Sequence, residues 1–118
     1  MTEAVTTAFP APAVGTVRAL GAFVQARAKE GEQVLLQRIP AEQRDAPDAV
    51  ELLRIPRALG RAAGVAAYEL ECELLADHVD ANAVRLRWGT LLSTALPFRA
   101  HPDVPASARE ALTAVDGM

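Results

Sequence analysis

A chain of 118 residues with a formal net charge of −3 has the length of a single domain and no overall attraction for nucleic acid or an anionic membrane. A hydrophobic fraction of 51% with only 4% aromatics implies a core lined by small side chains. No apolar run approaches the roughly 20 residues that span a bilayer. Cys72 is the single cysteine, which excludes an intrachain disulfide and a cysteine-built zinc cluster; it is expected as a small buried hydrophobe. Alanine and leucine favour helix over strand. The opening MTEAVTTAFPAPAVG lacks a basic start followed by an apolar stretch, so a cytoplasmic address is expected.

Residues 1–14, with Pro10 and Pro12 and no apolar period, read as a flexible N-terminal arm ahead of one helical domain over 15–118. Thr16 suits an N-cap. Val17, Leu20, Gly21, Val24 and Ala28 follow at helical spacing, predicting an amphipathic helix that ends near Gly31. Val34, Leu35, Leu36 and Ile39 fit two helical turns or a buried strand, and Pro40 supplies a stop. Residues 41–48 read as a polar loop, with Asp48 able to cap a short segment over Ala49–Leu53.

Pro56 is then expected to kink a longer helix or, more comfortably, to open a new one as its first residue. From Pro56 to Val79 the helical signal is the strongest in the chain. Leu59, Ala63, Ala66, Leu70 and Leu74 form one stripe; Tyr68, Cys72, Leu75 and Val79 form a second on roughly the opposite side. Two apolar stripes imply a central helix, or one face turned inward and the other against a partner chain. Asp80 and Asn82 offer caps. Val84, Leu86 and Trp88 alternate like a strand, yet Val84, Trp88, Leu91, Leu92 and Ala95 share a helical face, which favours helix with a stop at Pro97. Ser107 and Glu110 match a capping box for a short last helix. The fold expected is mainly α, a small bundle of four to five helices. The rival is α+β, with strands 34–39 and 84–88 paired.

No assembled chemistry stands out. His78 and His101 lie in no metal-binding spacing, and neither metal nor cofactor is expected. Glu69, Glu73 and Asp77 recur every four residues, the pattern of a solvated acidic strip. Glu71 and His78, seven apart, share a face and would allow proton transfer between helices. Gly60 and Gly64 lack the strand and the lysine of a phosphate loop, and suggest instead a backbone approaching closely.

The least ordinary feature is Arg54, Arg57 and Arg61, which project to one side. If they stand near a helix start they oppose its dipole, and Glu42, Asp45, Asp48, a partner's acidic surface or a phosphate would compensate. The function expected is therefore a non-enzymatic protein-protein interaction or regulatory module. It would act through an apolar helix face (Tyr68, Cys72, Leu75, His78, Val79, Trp88) and the arginine patch, with a protein partner that includes a second copy of the chain. Two alternatives are a small-ligand site or minor enzyme around Tyr68, His78 and Trp88, and polyanion or nucleic-acid binding through the arginines. The acidic net charge disfavours the last.

Overall fold

Prolines set the frame of this protein, as seen in a computed structural model that describes residues 11–116. Four α-helices occur among those residues and no strand: α1 (Val14–Arg38), α2 (Pro47–Leu74), α3 (Ala81–Ala95) and α4 (Ala106–Asp116), with 3-10 turns at Ala41–Gln43 and Leu96–Phe98. A residue before proline is driven out of the helical region. Ile39, ahead of Pro40, accordingly ends α1 in an extended conformation (φ −100°, ψ 120°). Ala46, ahead of Pro47, is extended too (φ −67°, ψ 147°). Pro47 then opens α2 from its first turn, where a missing N–H costs nothing. The Asp80 carboxylate caps α3 as expected, accepting from the N–H groups of Asn82 and Ala83 at 3.0 and 3.2 Å, and α3 stops before Pro97.

The expectation of a mainly α bundle of four to five helices holds, with four among the described residues. The strand pair over 34–39 and 84–88 is overturned, because the first segment is the last turn of α1 and its C-cap and the second lies inside α3. Several boundaries differ from expectation. Gly31 does not end α1, and Pro56 neither starts nor ends α2. The two would-be breakers face each other: a Cβ at Gly31 would lie 3.8 Å from that of Pro56. Even a Cβ at Gly31 would make only an ordinary contact there, and α2 runs on through Pro56 without the hydrogen bond that a proline removes. Ala13 and Ala46, not Thr16 and Asp48, occupy the N-cap positions, without side-chain capping. Ser107 lies inside α4, so no capping box forms. The arm expected over 1–14 falls mostly outside the described residues.

α1 and α2 form a long antiparallel hairpin. They approach closely where Gly21 meets Ala67, since an added Cβ would sit 2.7 Å from the Ala67 Cβ. Gly60 and Gly64 face Ala28 and Gln25 of α1 in the same way, at 3.3 and 2.5 Å. α3 and α4 cover one half of the hairpin. There the core gathers Val17, Leu20, Phe23 and Val24 with Ala63, Leu70, Trp88, Leu91, Leu92 and Leu112. Among the described residues nothing covers the other half, and its buried residues there are only Ala28, Ala49, Leu53 and Pro56. The described chain measures 62 × 29 × 22 Å, and its radius of gyration of 16.8 Å exceeds the ~13–14 Å of a compact domain this size.

Candidate functional site

The side of α2 turned away from α1 and α3 carries most of the singled-out residues. Arg54, Arg57 and Arg61 stand together on it, lining a shallow open groove with Val50 and Ala58. They are not at a helix start. Because α2 begins at Pro47, the arginines occupy its second to fourth turns, beyond the reach of the terminal dipole. Their partners also differ from those expected. Arg54 pairs with Glu51 at 3.2 Å and Arg57 with Glu32 of α1 at 3.2 Å. Arg61 has no ion-pair partner among the described residues.

Towards the other end of the same face, Tyr68 (69% exposed) and Leu75 (65%) stand in solvent with Val65. Cys72 is exposed rather than buried, which corrects the expectation for this thiol. Through hydrogen bonding and charge, Cys72 holds the Tyr68 phenol above its ordinary value. Val79 and His78 lie past the end of α2 in the exposed connection to α3. Trp88 points the other way, into the core. Tyr68, His78 and Trp88 therefore do not face one enclosed space, and the pocket pictured around them does not form.

The acidic end of α2 is tied down by neighbouring helices. Glu69 pairs with Arg87 of α3, and Glu71 accepts from Arg18 of α1, with Nε at 2.8 Å. The Arg18 guanidinium, mainly through that hydrogen bond, holds the Glu71 carboxyl below its ordinary value. Glu71 thus has an arginine, not His78, as its partner. Glu73 and Asp77 have no ion-pair partner among the described residues. No group of three or more His, Cys, Asp or Glu among those residues is placed to hold a metal ion.

One cluster has almost no signal in the sequence. The Arg27 side chain, 10% exposed, contacts the His101 ring and pairs with Glu30 at 3.1 Å. It also lies 5.2 Å over the Phe23 ring, which packs edge-on to Phe98 and His101. This cluster fastens the α3–α4 connection to α1. Its only trace along the chain is an arginine interrupting an apolar face, which also fits an exposed residue.

The described residues form an all-α fold of four helices that presents an apolar and charged helix side. Comparison with protein-family models, with curated proteins and with solved structures gave no match. No helix among the described residues is long and apolar enough to cross a membrane.

Proposed function

We propose that this protein is a non-enzymatic interaction or regulatory module that binds another protein through the outer face of α2. The observation behind this reading is that Val65, Tyr68, Cys72 and Leu75 lie exposed along one helix that also carries Arg61 with no ion-pair partner among the described residues. Single exposed apolar residues are ordinary, but a row of them at helical spacing marks a contact surface. Tyrosine and arginine are also the residue types that anchor interfaces. The test is affinity purification from the native host with mass spectrometry, comparing the native chain with an Arg54→Ala, Arg57→Ala, Arg61→Ala variant shown to be folded by circular dichroism. Loss of the captured partner is expected. A folded variant that binds every native partner with unchanged affinity from low to high salt would overturn the reading. A nucleic-acid or other polyanion partner would instead show affinity falling steeply with salt.

A further inference from the structure

We infer that the hairpin hinges at the level of Gly31 and Pro56, so that its tip, residues 32–55, swings as one piece against the half covered by α3 and α4. Where the fastening stops is the first observation behind this. On α1 the last side chains tied to the covered half are Arg27, which contacts His101, and Glu30, which pairs with Arg27 at 3.1 Å. On α2 the last residue towards the tip that packs against the core is Leu59. The restraint from α3, α4 and their connection therefore ends just short of Gly31 on one helix and of Pro56 on the other.

The two helices are also weakest at that level. Pro56 lies inside α2 and has no N–H to donate to the carbonyl four residues earlier, a common cause of a helix bend. Gly31 lies inside α1, and glycine restricts the backbone least of all residues. A single weak position bends one helix, but two long packed helices bend together only where both yield at the same height. Here they do, since a Cβ at Gly31 would lie 3.8 Å from that of Pro56. The pair between Arg57 and Glu32 reaches across this level at 3.2 Å, with the arginine side chain 56% exposed, and a pair that open to solvent is too weak to lock it.

The tip, by contrast, holds itself together. Ala49 and Leu53 are buried within it, and Arg44 donates to the Leu36 carbonyl at 3.1 Å, tying the connection to α1. A segment with its own contacts moves as a unit instead of unravelling from its end. The hinge also divides the groove on the outer side of α2. Val50 and Arg54 line that groove from the tip side of Pro56, and Arg57, Ala58 and Arg61 line it from the other. Swinging the tip thus alters the spacing between Arg54 and the other two arginines while leaving the covered core in place. This is a property of the chain alone and does not depend on the interaction reading above.

Distances between paired spin labels, measured by pulsed electron resonance on the full chain carrying Cys72→Ala, test the hinge. One pair joins tip to core, Gln43→Cys with Leu86→Cys; a second lies within the tip, Gln37→Cys with Glu51→Cys. All four positions are exposed. The tip-to-core distances should spread at least about twice as widely as the within-tip distances. Adding Gly31→Ala and Pro56→Ala, which stiffen both helices, should narrow the tip-to-core spread to the within-tip width with helical circular dichroism retained. Gly31→Ala alone, where the new Cβ meets only an ordinary contact, should narrow it in part. A tip-to-core spread no wider than the within-tip spread overturns the inference. So does a within-tip spread that is equally broad, the mark of a fraying end, or a tip-to-core spread that neither variant narrows.

Discussion

The two halves of the α1–α2 hairpin are made of similar sequence and packed very differently. Leu52, Leu59 and Ala66 are spaced by seven residues and so share one side of α2. Leu52 is 49% exposed, Leu59 is half-buried, and Ala66 is buried. The gradient follows the cover: α3 and α4 pack over the half containing Ala66, and nothing among the described residues packs over Leu52. Burial here is decided by what lies on top of a stripe rather than by the stripe itself.

The largest expected effect tests that contrast directly. Leu70, 0% exposed in the covered half, should lose about 2–5 kcal/mol on replacement by alanine, the usual cost of emptying a leucine site. Leu52→Ala should cost under about 1 kcal/mol. Urea melts read both, and equal losses would break the comparison.

Glycine substitutions sharpen it with opposite signs. Gly21→Ala brings a Cβ to 2.7 Å from that of Ala67, so overlap should outweigh the gain in helix propensity and destabilise by roughly 1–3 kcal/mol. Gly31→Ala meets only an ordinary contact with Pro56 at 3.8 Å and should stabilise by about 0.5–1 kcal/mol. Thermal melts that moved in the same direction for both would show that the two halves are equally tight.

The smallest effect concerns the ion pair between Arg18 and Glu71 at the covered end. Arg18 holds the Glu71 carboxyl below its ordinary value of 4.5. A carboxylate with a depressed folded-state value contributes stability that is full above the unfolded value and lost as pH falls through the folded one. Arg18→Ala should therefore move the Glu71 titration, followed by carboxyl NMR, up towards 4.5. It should also flatten part of the acid dependence of stability, by lowering stability slightly at neutral pH, where this solvent-near pair contributes a small amount, and leaving it unchanged at low pH, where the pair is already lost. An unchanged titration would mean that the pair does not persist in solution.

Much of the fold was legible because local rules and tertiary packing agree there. The Asp80 cap, the stop before Pro97 and the buried stripe of Ala63, Ala66 and Leu70 all follow from residue type and spacing. Gly31 and Pro56 misled for one shared reason. Each is a breaker taken alone, and their mutual contact across two helices is not visible to any window along the chain. Cys72 misled differently: when both sides of a helix are apolar, residue type does not say which side faces in. The arginines were placed correctly on one side of a helix, but the dipole argument attached to them failed with the boundary at Pro56.

The same hairpin sets a contest between chain connectivity and packing. Near the tip, Arg57 meets Glu32 across 25 residues of sequence, whereas at the covered end Glu71 meets Arg18 across 53. Closing the tip first is therefore entropically easier, but only slightly, since each doubling of a loop costs about 0.6 kcal/mol. One well-buried leucine outweighs that difference. Assembly of the two long helices is thus governed by the end with the core, although the tip is the end that the chain brings together first.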